Sequence, residues 1–251
     1  MIRGLIFDIN GTLSDIWTDE ESLDTYRVVS DFLDYQGVKI KPEKVKELYF
    51  ELNKRQRADS DEPYPEFDIV ALFAEMIDGN ASDFTRALPK KKRKLLPAVA
   101  AEVFRAASRR RLRLYPDVKK TLDALKKKYR LASVSDGQAQ WARAELASVG
   151  LDGYFHPFVV SGNYGYRKPD ERLFKKALKK MDMTAEEVVF VGNDMYRDVF
   201  GAAQLGIKTV LFRSNQGEQE YCGTKADVEI TAFAQLPAAV KTIEKRLKSS
   251  A

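Results

Sequence analysis

The chain has 251 residues, of which 44% are hydrophobic and 31% charged, and this is the composition of a globular protein with one or two cored domains. Its single cysteine, Cys222, excludes an internal disulfide, and no apolar run approaches the roughly 18 residues that a membrane helix needs. The N-terminus leads directly into a predicted strand without signal-peptide features, so we expect a cytoplasmic protein.

The net charge is +5, and much of the positive charge is clustered in three runs, at 90–94, 109–113 and 126–128. A basic cluster can bind phosphate groups or nucleic acid. No aromatic residues are interleaved with these runs as in a nucleic-acid-binding motif. We therefore interpret them as solvated surface and do not favour nucleic acid as a partner.

The first predicted element is a buried strand at 2–7, which is the apolar run IRGLIF. The next hundred residues, 15–112, show no convincing strand pattern. They carry apolar residues at helical spacing instead, with glycine or proline at the ends of several segments. Four helices are predicted there, at 20–37, 42–55, 66–79 and 91–107.

After this helical region, short β-rich runs alternate with helical patterns. Strands are predicted at 130–134, 157–160, 188–191, 207–212 and 227–230, and helices at 139–150, 170–181 and 196–206. Such alternation indicates βαβ crossovers and a mainly parallel sheet covered on both faces. The predicted fold is a doubly wound α/β core, residues 1–14 and 113–251, interrupted by an all-helical insert at 15–112.

Ligands of doubly wound sheets bind beyond the carboxyl ends of the strands, and polar residues follow four of the predicted strands there. These are Asp8 with Asn10, Gly11 and Thr12, then Ser135 with Asp136 and Gly137, then Lys168, and finally the pair Asp194 and Asp198. One carboxylate, one hydroxyl, one ammonium and an acidic pair are therefore expected at one edge of the sheet.

These groups suit phosphoryl transfer. A carboxylate such as that of Asp8 can attack phosphorus and form an aspartyl-phosphate, provided that a cation screens the charge of the phosphate. Mg²⁺ held by hard oxygen ligands does this, and Asp194 and Asp198 are the natural partners of Asp8 around it. Ser135 and Lys168 would supply a hydrogen bond and a positive charge to the phosphoryl oxygens. Backbone N–H groups at 10–12 and after Gly137 would add further donors.

Four segments, FDINGTL, SVSDG, GYRKPD and VGNDMYRDVFGAAQLG, resemble in order and spacing the four motifs of the haloacid dehalogenase-like hydrolases. The resemblance spans residues 1–14 and roughly 112–231. It implies a Rossmann-like core, and the insert after the first motif resembles the helical cap of this family. Most members are phosphatases, and a minority are dehalogenases, phosphonatases, phosphomutases or ATPases.

The resemblance also implies roles for single residues. Asp8 would be the nucleophile and a Mg²⁺ ligand, and Asn10 would give the ion its backbone carbonyl. Thr12 and Ser135, with the adjoining residues Asp136 and Gly137, would bind the phosphoryl group. Lys168 would stabilise the nucleophile and the anion, while Asp194 and Asp198 would complete the metal site.

Asn10 departs from the family pattern, since phosphatases of the family usually have aspartate there to protonate the leaving group and activate water. A positioned general acid–base is worth about 10²–10⁴ in rate. Three explanations stay open. The substrate can be an acyl phosphate, whose leaving group needs no acid. The reaction can also be a phosphotransfer that needs none. Another acid, namely Asp15, Asp19 or Glu20, can substitute. Or the protein is a slow enzyme that serves as a binding or regulatory module.

Asn193 is a second departure, because an acid usually follows the glycine of the fourth motif. Asp194 and Asp198 keep the four-residue spacing seen in other members, so we assign the metal site to them. Dehalogenation is disfavoured, because the family's dehalogenases need no Mg²⁺ and the acidic NDMYRD would repel a carboxylate substrate. The sequence therefore predicts a Mg²⁺-dependent phosphatase acting on a small phosphorylated metabolite.

Overall fold

The apolar run at the N-terminus forms the central strand of a six-stranded parallel sheet. The computed structural model describes residues 1–249. The eight strands are β1 (Gly4–Phe7), β2 (Ser14–Thr18), β3 (Arg109–Leu114), β4 (Arg130–Ser135), β5 (Phe158–Val160), β6 (Val188–Gly192), β7 (Lys208–Phe212) and β8 (Val228–Ile230). The order in the large sheet is β5-β4-β1-β6-β7-β8. All five pairings are parallel, which confirms the predicted fold class.

Five helices lie in the insert and five in the core. Those of the insert are α1 (Leu23–Tyr35), α2 (Pro42–Ala58), α3 (Ile69–Asn80), α4 (Asp83–Ala87) and α5 (Lys90–Ser108). Those of the core are α6 (Val118–Leu125), α7 (Ala139–Ser148), α8 (Glu171–Met181), α9 (Gly201–Ala203) and α10 (Leu236–Ser249). A single turn of π-helix, Met195–Phe200, precedes α9. Among these helices, none is long and apolar enough to cross a membrane.

The prediction that residues 15–112 contain no strand is wrong at both ends of the segment. β2 and β3 pair antiparallel, with Ser14 opposite Leu114 and Ile16 opposite Leu112. In β3 the sequence RRRLRL alternates arginine with leucine, so its period of two is hidden within a run of positive charge. This ribbon carries the chain from the core into the helices and back. The domain boundaries at 14–15 and 112–113 stay predictions.

The helices of the insert have an apolar core of their own, distinct from the clusters around the large sheet. Its centre is aromatic: the ring of Phe104 lies 4.6 Å from that of Tyr49 and 6.0 Å from those of Tyr26 and Phe73. These residues come from α5, α2, α1 and α3, and all are buried. Since aromatic side chains bury large apolar areas, this cluster is what holds the four helices together.

The carboxyl ends of β1, β4 and β6 meet at one edge of the sheet. Phe7, the last residue of β1, lies beside Ser133 of β4 and Val191 of β6. Chain order reverses across β1, so this edge is the topological switch point at which ligands bind in doubly wound sheets. Asp8, Ser135 and Asn193 therefore emerge next to one another.

We predict that Phe104→Ala lowers the free energy of unfolding by about 3–5 kcal/mol, because it empties the centre of the aromatic cluster. Guanidinium denaturation followed by circular dichroism measures the change. Phe84→Ala is the matched control, since Phe84 is 60% exposed, and it should cost less than about 0.5 kcal/mol. Equal losses for the two variants would show that the cluster does not hold the insert together.

Candidate active site

The carboxylate of Asp8 lies directly after β1 and is buried. The Lys168 ammonium contacts its Oδ1 at 2.7 Å, and the hydroxyl of Thr12 donates to its Oδ2 at 2.9 Å. Both donors are buried. The structure therefore brings Lys168 to Asp8 and Thr12, which lie 160 and 156 residues earlier in the chain, and fixes both oxygens of the predicted nucleophile.

Lys168 is the hub of the site, because its ammonium also contacts Oδ1 of Asp198 at 2.6 Å. A buried charge is costly unless it is paired. Burial opposes the charged form of Lys168, but the carboxylates of Asp198 and Asp8 outweigh it and raise the pKa of Lys168. The lysine is therefore a permanent cation between two carboxylates.

The fourth motif folds back on itself through Asp198. The main-chain N–H groups of Asn193 and Asp194 donate to its Oδ2 at 3.0 and 3.1 Å. Gly192 allows this return, since a Cβ there would lie 2.4 Å from Cβ of Asp198. Burial raises the pKa of Asp198, and the ammonium of Lys168 partly offsets that effect. Asp198 thus lies inside the site, as the sequence predicts.

Asp194 is turned away from this arrangement. Its Oδ1 caps the π-helical turn by accepting from the N–H groups of Tyr196 and Arg197, and its Oδ2 accepts from the Arg197 guanidinium at 2.6 Å. Its predicted place among the metal ligands has no support in these contacts, all of which lie outside the Asp8 cluster. Each acid of NDMYRD has a cationic partner, so the motif repels a carboxylate less than the sequence suggests.

Asn193, rather than Asp194, contacts the first motif. Its Oδ1 accepts from the Thr12 hydroxyl at 2.8 Å, while its amide nitrogen donates to the carbonyl of Gln216 at 2.9 Å and so fixes the orientation of the amide. Gly11 has φ +90°, and a Cβ there would lie 2.5 Å from Nδ2 of Asn193. The glycine thus lets the two motifs pack closely. The role of Gln216 was missed, since no motif marks its loop.

Ser135, Asp136 and Gly137 follow β4 at the same edge. Ser135 is buried and lies beside Asn10 in the lining of a small enclosed cavity. The N–H of Gly137 donates to the hydroxyl of Ser161 at 2.9 Å. Gly137 is therefore already bonded within the protein, and its predicted contact with phosphate gains no support. Asp136 accepts the main-chain N–H of Lys168 through Oδ1 at 2.9 Å.

Asn10 lies at the entrance of a cleft between core and insert. Its side-chain oxygen accepts from the hydroxyl of Ser14 at 3.1 Å. The cleft has a volume of about 490 Å³, within the range of small-molecule sites. Four arginines line it, from both parts of the chain: Arg57, Arg105, Arg167 and Arg197. Arg57 and Arg105 were missed, because nothing in a helical sequence shows which face meets a distant strand end.

The insert is tied to the loop that carries Lys168. The N–H of Glu66 donates to the carbonyl of Gly165, and the N–H of Arg167 to that of Tyr64, both at 2.9 Å. The hydroxyl of Ser161 donates to the Glu66 carboxylate at 2.7 Å. The segment after α2 therefore closes one side of the cleft and supports the loop before Lys168.

Of the three acids considered as substitutes for Asn10, Asp15 and Asp19 are engaged elsewhere, whereas Glu20 lines the cleft. Asp15 forms ion pairs with Arg111 at 2.9 Å and Arg113 at 3.0 Å. Burial opposes its ionisation, but the hydrogen bonds from these arginines outweigh that effect and lower its pKa. Asp19 accepts from the N–H of Ser22 at the start of α1. The carboxylate of Glu20 accepts from the hydroxyl of Tyr49 at 2.9 Å.

The donor set permits a Mg²⁺ ion completed by substrate. Among residues 1–249, no three side chains of the acidic, histidine or cysteine types converge as a metal cluster. Asp8 and Asn193 nevertheless both present an oxygen to the Thr12 hydroxyl, within 2.9 Å of it, and Asp198 lies across Lys168. Mg²⁺ binds through one or two carboxylates plus waters and substrate phosphate. Two carboxylates and an amide oxygen satisfy that requirement.

Comparison with known proteins agrees with this geometry. A family model for haloacid dehalogenase-like hydrolases matches residues 2–206, and the chain belongs to that family. It is 36% identical over 130 residues to the glyceraldehyde 3-phosphate phosphatase of Pyrococcus furiosus, covering 50% of this chain and 53% of that protein. The enzyme of the same name from Methanothermobacter thermautotrophicus is 30% identical over 172 residues, covering 64% of this chain and 75% of that one.

The first of these matches spans about half the length of the relative. A solved structure extends the likeness over the whole fold. The crystal structure of a 2-haloacid dehalogenase from Pseudomonas syringae superposes with a TM-score of 0.68 at 23% identity, covering 96% of this chain and 99% of that one. At that identity it shows the shared fold, including the helical insert.

We predict that Asp15→Asn destabilises the fold by about 1–3 kcal/mol at pH 7, because it removes the charged acceptor of two arginines. The pKa of Asp15 is lowered in the folded protein. The contribution of Asp15 to the free energy of unfolding is therefore fully present above its unfolded-state pKa of about 4. It is lost as the pH falls through the folded-state pKa.

Urea denaturation from pH 7 down to pH 3 measures the free energy of unfolding. The difference in this free energy between wild type and variant should become smaller as the pH falls. Asp24→Asn is the control, since the Asp24–Arg27 pair is exposed. That variant should cost less than about 0.5 kcal/mol throughout. A gap for Asp15→Asn that stays constant with pH would contradict the ion-pair interpretation.

Proposed function

We propose that the chain is a phosphatase of small phosphorylated metabolites, with Asp8 as the nucleophile. The observation that carries this proposal is the Asp8 carboxylate, which Lys168 and Thr12 hold at 2.7 and 2.9 Å at the switch point of the sheet. The relatives named glyceraldehyde 3-phosphate phosphatase support a small phosphate ester as substrate. The size of the cleft and its four arginines also suit a small anion.

In this mechanism an Asp8 oxygen attacks phosphorus while the bond to the leaving oxygen breaks, which gives an aspartyl-phosphate. Water then attacks phosphorus and releases phosphate and free Asp8. Thr12 and Lys168 orient the nucleophile, and the Lys168 charge stabilises the phosphoryl oxygens, as Ser135 would by hydrogen bonding. Mg²⁺, when bound, would screen the repulsion between Asp8 and the phosphate dianion.

The residues that would hold Mg²⁺ are Asp8, Asn193 and Asp198, with Asn10 contributing its carbonyl as the family resemblance implies. Asn193 replaces Asp194 in this assignment, because Oδ1 of Asn193 contacts the same Thr12 hydroxyl as Asp8, whereas the contacts of Asp194 are with the π-helical turn and Arg197. A site with an amide in place of a carboxylate carries one negative charge fewer, so we expect weak Mg²⁺ binding in the absence of substrate.

We predict that Asp8→Asn lowers phosphate release by at least about 10³-fold, since an amide cannot form the aspartyl-phosphate. The assay is Mg²⁺-dependent release from acetyl phosphate, p-nitrophenyl phosphate and simple sugar phosphates, with intact-mass detection of the phosphoryl adduct. Asp152→Asn, an exposed site, is the control. If the wild type turns over none of these while it still binds Mg²⁺, the protein is a binding module and the proposed function is wrong.

We predict that Asn193→Asp tightens Mg²⁺ binding about tenfold, because it adds a carboxylate beside Asp8. Isothermal titration calorimetry without substrate measures the affinity directly. Asn80→Asp adds the same charge on the exposed end of α3 and should change the affinity less than about twofold. An equally small change in Mg²⁺ affinity for both variants would show that Asn193 is not a metal ligand.

A further inference from the structure

Asp136 contains a buried carboxylate oxygen without a hydrogen bond. Its Oδ1 accepts from the main chain of Lys168, but its Oδ2 accepts from no donor among the described residues 1–249. The nearest charged partner of Oδ2 is Nε of Arg167, at 3.8 Å, which is too long for a hydrogen bond. Buried polar atoms are nearly always bonded, so such an oxygen calls for an explanation, and catalysis is one of the usual ones.

The position of Asp136 suits a group that transfers a proton to the leaving group of a substrate. It follows β4, which pairs with β1, so it emerges beside the strand end that carries Asp8. It lines the cleft together with Asn10, the position where phosphatases of this family usually have their acid. Its side chain is held by the main-chain N–H of Lys168, which donates to Oδ1 at 2.9 Å. Asp136 therefore lies at the same edge of the sheet as Asp8 and lines the cleft proposed for the substrate.

The surroundings of Asp136 raise the pKa of its carboxyl above the ordinary value. Burial raises its pKa, the charges of Lys168 and Arg167 partly offset this, and the charge of Asp8 raises the pKa further. Two further charged groups face it: the negative charge of Glu66 repels that of Asp136, and the positive charge of Arg197 attracts it. A raised pKa brings a carboxyl closer to the range in which a general acid–base works.

Glu66, the other buried acid of the cleft, is less suited to this task. The hydroxyl of Ser161 donates to its Oε2 at 2.7 Å, and the side-chain amide of Gln138 to its Oε1 at 3.4 Å. These bonds tie the insert to the core. Both carboxylate oxygens of Glu66 thus accept structural hydrogen bonds, whereas one oxygen of Asp136 accepts none.

We propose that Asp136 is the proton donor and acceptor that replaces the acid missing at Asn10. This inference rests on the proposed phosphatase function. In the first step Asp8 attacks phosphorus, the bond from phosphorus to the ester oxygen breaks, and the Asp136 carboxyl gives its proton to that oxygen, releasing the alcohol. In the second step the Asp136 carboxylate takes a proton from water as the water oxygen attacks phosphorus and the bond to Asp8 breaks. Phosphate leaves, and both aspartates return to their first state.

The test compares two substrates of nearly equal shape. Phenyl phosphate has a poor leaving group that needs a proton, whereas p-nitrophenolate departs without one. Asp136→Asn keeps the acceptor for the Lys168 N–H but cannot transfer a proton. We expect it to lower kcat/KM about 10²–10³-fold for phenyl phosphate and less than about tenfold for p-nitrophenyl phosphate.

A second mutation supplies the rescue. Asn10→Asp restores an acid to the cleft, so in the Asp136→Asn background it should raise phenyl phosphate turnover at least about tenfold. In the wild-type background, where Asp136 already serves, the gain should be below about threefold. This dependence of one substitution on the other is the mark of two groups that share one task.

Glu66→Gln is the comparison for a buried cleft acid, and we expect it to leave the ratio of the two substrates' rates unchanged. Thermal melting checks that each variant is folded. Should Asp136→Asn unfold, Asp136→Ser is judged by the same ratio.

Equal losses on both substrates, or no loss, would overturn the role of Asp136 while leaving the phosphatase proposal in place. Failure of the wild type on both substrates and on acetyl phosphate would instead overturn the phosphatase function, and this inference with it.

Discussion

The structure depends on a single buried ammonium group. Lys168 lies between the carboxylates of Asp8 and Asp198, at 2.7 and 2.6 Å. An unpaired charge at this depth would be prohibitively costly, so the loops after β1, β5 and β6 have to meet. The same contact that stabilises the lysine also orients Asp8, the proposed nucleophile. The stability of the fold and the proposed catalysis therefore both require these groups to meet at this edge of the sheet.

Charge pairing then decides what the rest of the fourth motif can do. Asp198 is committed to Lys168 and Asp194 to Arg197, which leaves Asn193 to contact Thr12. Because each acid has its own cation, the site has far less negative charge than the letters NDMYRD suggest. A substrate that bears a carboxylate would therefore meet less repulsion from this segment than the sequence suggests.

The helical insert completes the site in two ways. The β2–β3 ribbon brings Arg111 and Arg113 to Asp15, which removes that acid from chemistry and braces the entrance to the insert. The segment after α2 reaches back to the loop before Lys168 through Glu66. The arginines Arg57 and Arg105 of the cleft and the support of the Lys168 loop thus come from one piece of chain.

The sequence by itself determined the α/β class, the positions of the six core strands and the proximity of Asp8, Thr12 and Lys168. Those conclusions follow from local apolar patterns and from the rule that parallel strands end at one edge. It could not reveal the strand hidden in RRRLRL or the engagement of Asp15. Nor could it decide between Asn193 and Asp194, or show the free oxygen of Asp136. These depend on which charges pair across the fold, and only the tertiary structure decides that, because partners such as Asp15 and Arg111 lie almost a hundred residues apart.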